Sequence, residues 1–289
     1  MFDAKLVEKI VREVLAERLA GAGNNAACAE RTAVPPEAQF DLTAPEHRRD
    51  ILIPHPKDPE SLRRMRAATP ARIAIGHSGP RYNTRSLLLL LADHAGARDS
   101  VMTDVDAALL ERLGLFSLQS LCRNRDEHLT RPDLGRQFSA ETLAELRRRC
   151  KPSPRVQVYA SDGLSSSAVN ANLENFLPAL TDGLAKHGIE QGTGFFVRFG
   201  RVPSMDAVGP ALDAEAVCLL IGERPGLGCA ESMSAYLCYR PEVGMPEARR
   251  TVISNIHAGG IPAVEAGAYT ADVLKKILDG RKSGVDLKL

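Results

Sequence analysis

The chain carries almost no excess charge of either sign. Its 289 residues include 37 basic and 36 acidic side chains, a net charge of +1. That balance removes the electrostatic argument for nucleic acid or an anionic membrane as partner. The clusters Arg63-Arg64, Arg147-Arg148-Arg149 and Lys275-Lys276 have acidic neighbours and read as solvated helix faces. Long hydrophobic runs are also missing: stretches such as residues 87–92 fall far short of the ~18 apolar residues of a membrane span. The six cysteines form no C-x-x-C pair, and none stands at zinc spacing with a histidine, so no metal site is expected. Cys218, inside an apolar run, reads as a small core residue. No basic start followed by an apolar core opens the chain, so a secretory signal is not expected and a reducing interior is. Neither G-x-G-x-x-G nor a P-loop nor the G-x-S-x-G of a nucleophile elbow occurs in a usable context. There is no internal repeat.

What the chain does have is a set of short apolar runs, each ending in a polar, glycine-bearing loop. The most informative is residues 216–228, AVCLLIGERPGLG. An apolar run bounded by glycine reads as a buried strand, and glycines at its carboxyl end let a ligand approach the backbone. The same pattern recurs. Residues 156–160 precede Ser161-Asp162-Gly163, residues 195–199 precede Gly200-Arg201-Val202, and residues 250–256 precede His257-Ala258-Gly259-Gly260. Helices are expected at 168–187 and 271–279. Alternating strands and helices predict an α/β fold in which a mostly parallel, Rossmann-like sheet is flanked by helices. Ligands of open α/β sheets sit at the carboxyl ends of the strands, so the four loops together predict a ligand edge. Taken singly, each is ordinary turn chemistry. Asp162 and Glu223 are candidates for a carboxylate pair whose separation sequence does not fix, and a lone His257 reads as a structural histidine.

The remainder divides by composition, with room for one large domain or two ordinary ones. In residues 1–20, Phe2, Leu6, Ile10 and Val14 recur every fourth position, with Val7, Val11 and Leu15 beside them, which predicts an amphipathic helix. Residues 21–46, rich in Ala, Pro, Gly and Thr, read as a flexible linker. Residues 47–150 read as mainly helical, with helices at 59–68 behind Asp58, at 84–94 capped by Thr84, and at 139–150. A short strand is expected at 71–75. Residues 151–289 form the predicted sheet domain.

Several long segments in order, RIAIGHSGPRYNT (72–84), ADH (92–94), LTRPDLGR (129–136), VQVYASDGLS (156–165), FFVRFGRV (195–202), LIGERPGLG (220–228) and ISNIHAGG (253–260), resemble the small subunit of ethanolamine ammonia-lyase. The resemblance covers nearly the whole chain beyond the linker. It implies a lyase that, together with a large subunit, converts ethanolamine to acetaldehyde and ammonia by a radical mechanism with adenosylcobalamin. The large subunit holds the substrate, and the small subunit covers the cobalamin. No catalytic residue is expected in this chain, and the isolated chain is expected to be inactive. Family cobalamin contacts carry over to Val202, Glu223 and Val252. Relatives can have cysteine at the position of Val252, so only a backbone or packing contact transfers there. The D-x-H-x-x-G motif of many corrinoid proteins fails here, because Arg131 replaces its glycine. His128 is then expected at the surface, before a turn at 129–133. The resemblance further implies a higher hetero-oligomer inside a bacterial microcompartment, with residues 1–20 as a possible address to the shell. Two other readings follow from the residues alone: a free-standing dinucleotide-binding protein, and a microcompartment adaptor.

Overall fold

A computed structural model describes residues 47–288. The expectations for residues 1–20 and 21–46 lie outside the described residues. Residues 49–288 belong to one compact unit. In chain order its elements are α1 (Pro59–Ala67), β1 (His77–Ser78), β2 (Arg81–Tyr82), α2 (Thr84–Met102), α3 (Ala107–Arg112), β3 (Phe116–Gln119), α4 (Arg125–Thr130) and α5 (Ala140–Arg149). There follow β4 (Val156–Ser161), α6 (Ser166–Lys186), β5 (Phe195–Arg198), α7 (Met205–Leu212), β6 (Ala216–Gly222), β7 (Met233–Tyr239), β8 (Thr251–Ile256) and α8 (Ala263–Gly280). No described helix is long and apolar enough to cross a membrane.

The helices begin where polar side chains satisfy their first N–H groups. Asp58 accepts from Ser61 N (2.9 Å) ahead of Pro59. The cap of α2 is Asn83, which accepts from Ser86 N (2.8 Å), one residue before the expected Thr84. The helix then runs on to Met102, past the expected end at 94. The strand expected at 71–75 does not form. Ala74 adopts φ +58°, which breaks an extended run, and the nearby pairing is the two-residue hairpin of β1 and β2.

Six strands make one sheet in the order β3-β5-β4-β6-β7-β8. The first four are parallel. β7 runs antiparallel to both neighbours, so β8 returns to the direction of β6. The carboxyl ends of β4, β5, β6 and β8 therefore share one edge, as expected. β7 and β3 were not foreseen, and β3 brings a strand from the mainly helical segment 47–150 into the sheet.

Alternation along each strand builds two cores. Val156, Val158 and Ala160 face one side with α6 and α8, in a cluster with Leu173, Phe176, Leu274 and Ile277. Tyr159, Leu219 and Val197 face the other, with Leu146 of α5 and Met205 and Val208 of α7. β4 and β6 are buried on both faces, which explains why they read as unbroken apolar runs. The result is a mixed α/β fold with a mostly parallel sheet between helices.

Candidate functional site

Three strand ends meet, two of them in close backbone contact. Gly163, with φ +54°, follows β4, and Gly222 ends β6. Leu164 N–H donates to Gly222 O (3.1 Å). A Cβ on Gly222 would collide with Ser165 O and lie 2.6 Å from Asp162 O. Only glycine lets these two loops touch. The β5 loop completes the group through Phe199, Gly200, Arg201 and Val202.

Beneath the loops is a buried polar layer. Asp162 is 1% exposed. Its Oδ1 accepts from Phe199 N–H (2.8 Å), and its Oδ2 faces the Arg125 guanidinium at 3.3 Å. Phe199 holds φ +60°, a left-handed conformation that non-glycine residues rarely adopt. It is pinned there from both ends, since its carbonyl accepts from Ser120 Oγ (2.9 Å) and its ring lies under the guanidiniums of Arg125 and Arg198 (4.9 and 4.7 Å).

His128 belongs to this layer, which corrects the expectation of a surface histidine. It is fully buried. Nε2 lies 2.7 Å from Gly163 O, and Nδ1 lies 3.1 Å from Phe199 O. Its own carbonyl accepts from Arg201 Nη2. The helix that carries it, α4, has six mostly polar residues, too short and too polar for periodicity to show which side is buried. Both partners of the ring are acceptors, so a neutral imidazole can donate to only one, and the shorter contact places that proton on Nε2.

The two titratable groups of the layer are displaced in opposite directions. Burial, reinforced by Arg201 and Arg125, pulls the His128 imidazole down to about 4. Burial pushes the Asp162 carboxyl up to about 6 against the pull of Arg125. By linkage, the His128 contribution is present above its unfolded value of 6.5 and is lost as pH falls toward 4. The Asp162 contribution is present below 3.8 and is lost as pH rises through 6. The slopes oppose each other between these limits. Relative to wild type, His128→Gln is expected to become progressively less stable, and Asp162→Asn progressively more stable, as pH rises from about 4 to about 6. Denaturant melts across that range test this; parallel profiles for all three proteins would refute it.

Above the layer, a cavity of about 470 Å³ brings together all three expected contact residues, Val202, Glu223 and Val252, with Leu164, Tyr236 and Ser254. Its floor is the uncovered face of the outer hairpin, where Tyr236 of β7 pairs with Val252 of β8; Val252 is 47% exposed. A second cavity of about 1000 Å³ adjoins it, sharing Leu164, Arg201 and Arg224. Asp162 lines neither, so it forms no carboxylate pair with Glu223 across the site.

Glu223 is fastened by three donors from two segments. One oxygen accepts from Ser232 Oγ (2.9 Å), and the other from Ser234 Oγ and from Asn255 N–H (3.1 Å). Sequence marks Glu223 as a loop carboxylate but gives no sign of these donors, which lie 9 to 32 residues away. His257 is closed within its own turn, bonded to Asn255 Oδ1 (2.8 Å) and accepting from Gly259 N–H (3.1 Å). Among the described residues no group of three or more His, Cys, Asp or Glu could hold a metal ion. The arrangement suits the holding of a large, mixed-polarity ligand.

The family model for the ethanolamine ammonia-lyase light chain (EutC) matches residues 59–288. The ethanolamine ammonia-lyase small subunit of Clostridium tetani is 48% identical over 295 residues, with the whole of both chains covered. That of Clostridium perfringens is 46% identical, covering 99% of this chain and 93% of the relative. That of Listeria monocytogenes is 46% identical, over 86% of this chain and 85% of the relative. On the breadth of these matches, the chain belongs to the ethanolamine ammonia-lyase small-subunit family.

Proposed function

We propose that this chain is the cobalamin-covering subunit of an adenosylcobalamin-dependent ethanolamine ammonia-lyase, with a Rossmann-like sheet forming the cover and a large subunit holding ethanolamine. The observation that carries the reading is the convergence of Val202, Glu223 and Val252 on one cavity. The residues suit the group. Drug-sized ligands fill roughly 300–1,000 Å³, and the two adjoining cavities together offer more. A corrin has a broad apolar ring with amide side chains at its rim. Val202, Val252 and Leu164 offer packing surface, and Glu223, Ser254 and Tyr236 offer polar partners at its margin. A carboxylate has about four lone-pair sites, and the fold occupies three of those on Glu223. One is left for an amide N–H of the ligand.

When bound, adenosylcobalamin would supply the radical chemistry of ethanolamine deamination. This chain's residues would hold it, exclude water from one side and leave the substrate to the large subunit. The test is Glu223→Gln in the complex with the large subunit. The carboxamide retains an oxygen for Ser234 and Asn255, and its NH₂ can donate to the Ser232 hydroxyl, so the unfolding midpoint should stay near wild type. Cobalamin binding should weaken about tenfold, as expected for the lower end of a charge-assisted hydrogen bond of roughly 1.5–3 kcal/mol. Equilibrium dialysis reads this, and an unchanged dissociation constant would make Glu223 a loop residue only. Ethanolamine turnover by the isolated chain would refute the division of labour.

The location in a microcompartment is part of the same proposal. The stripe of Phe2, Leu6, Ile10 and Val14 suits docking of a helix in a partner groove. As a flexible coil, the tether of residues 21–46 would span on the order of 30 Å. Deleting residues 1–20 should leave turnover intact and release the enzyme from the shell fraction. Truncated enzyme that still sediments with shells would count against the address.

A further inference from the structure

The larger cavity has an unusual charge balance for a chain with a net charge of +1. Its wall includes His94 and Arg98 of α2, Arg201 after β5 and Arg224 after β6, and no carboxylate. None of these four makes an ion pair among the described residues. Nearby basic groups elsewhere are paired: Arg72 with Asp93, while Arg125 and Arg198 share Asp104. The nearest acidic groups are already engaged as well, Asp162 below the floor with Arg125 and Phe199 N–H, and Glu223 in the adjoining cavity with its three donors.

A second observation points the same way. Arg201 is held in place by its own backbone, whose N–H donates to Gly135 O (2.8 Å), and by Nη2 on the His128 carbonyl. Its Nε is buried and has no acceptor. A buried guanidinium N–H without a partner is costly, and an anion in the cavity would offset that penalty. Around the cations the wall is apolar: Val101, Met102, Leu129, Leu164 and Leu227. The cations and these apolar side chains line the cavity together, which suits an ionised group on a mostly apolar ligand. The loop carrying Arg224 and Leu227 is braced from across the cavity, as Arg72 donates to Leu227 O (2.8 Å).

We infer that the cavity between α2 and the β5 and β6 loops is a phosphate subsite, in which Arg98, Arg201 and Arg224 take the phosphodiester of a large ligand whose apolar body lies over Val202 and Val252. The ligand identity rests on the reading proposed above; the phosphate chemistry does not. The same groups would accept a free inorganic phosphate, so the test has two arms.

In the first arm, full-length chain is titrated with inorganic phosphate and followed by ³¹P line broadening. Wild type should broaden the signal, while Arg98→Ala and Arg224→Ala should each weaken the effect about tenfold, with Arg224→Lys between them because it keeps the charge and loses the planar fork. In the second arm, the complex with the large subunit is dialysed against cobalamin and against cobinamide, the same corrin without its phosphate-bearing tail. The alanine variants should lose about tenfold for cobalamin and nothing for cobinamide. Phosphate binding without cobalamin binding would leave the subsite standing and remove the proposed cofactor. Absence of phosphate binding in wild type would overturn the subsite. So would an equal loss for both corrins, or variants that instead fail to retain the large subunit, an outcome that would assign these cations to an acidic partner surface.

Discussion

Asp206→Ala should lower the stability of this protein by about 3–5 kcal/mol, the range for stranding one member of a buried ion pair. The Arg250 side chain is 1% exposed. Its Nη2 reaches both oxygens of Asp206, at 2.8 and 2.7 Å, and its Nη1 reaches Glu247. Asp206 lies in the first turn of α7, and Arg250 immediately precedes β8, so the pair ties a helix on one face of the sheet to the outer hairpin. Glu247 is two-thirds exposed and contributes much less. Arg250 Nε is already buried without an acceptor, which leaves the guanidinium only the exposed Glu247 once Asp206 is gone. Urea unfolding of Asp206→Ala measures the loss. The double variant Asp206→Leu/Arg250→Met removes both charges and should recover most of it. A single variant within 1 kcal/mol of wild type would show that the pair contributes little.

The second large effect is expected from one methyl group. Gly222→Ala places a Cβ into the Ser165 carbonyl, with a second backbone oxygen, Asp162 O, at 2.6 Å. Neither can turn aside as a flexible side chain would. Accommodation must part the β4 and β6 loops and break the Leu164 N–H to Gly222 O bond. Overpacking of this kind destabilises by about 1–3 kcal/mol and occasionally more, and the backbone origin of the clash places this case at the upper end. Ligand binding should fall with it, because Glu223 begins where Gly222 ends. Gly228→Ala, in the same loop, meets nothing within 4 Å and serves as the control; it should melt within about 0.5 kcal/mol of wild type. Similar melting of the two variants would contradict the proposed close approach of the loops.

The sequence made parts of this architecture legible for definite reasons. β4 and β6 are buried on both faces, so their apolar runs stood out, and the glycines at their ends marked where backbone meets backbone. β7, MSAYLCY, follows β6 after a ten-residue loop and reverses direction, and nothing local distinguishes it from the strands that do not. β3 has four residues, of which only Leu118 is buried. α8 begins eight residues before its expected start at 271, because its first turns bury Ala263, Ala266 and Gly267, small side chains that give periodicity little amplitude. The loops of Val202 and Glu223 read as a ligand edge from the residues, whereas the three contacts themselves, Val202, Glu223 and Val252, come from the family resemblance, and one cavity collects all three. His128, expected at the surface, is buried. Its burial depends on Gly163 and Phe199, 35 and 71 residues away, and a failed motif carries no information about that.

The order of the strands has a consequence for how the chain is made. Phe116 pairs with Phe195, not with any residue of β4, which lies between them in sequence. β3 therefore leaves the ribosome about 80 residues before its only strand partner among the described residues. At synthesis rates of about 5–20 residues per second, it waits roughly 4–16 s with its edge unpaired, while β4 and α6 emerge beside it. β5 must then enter between β3 and β4. Keeping β3 to four residues, with two of them polar, limits what a wrong neighbour can gain during that interval, and leaves the slot open for the strand that carries Arg201 and Val202 to the site.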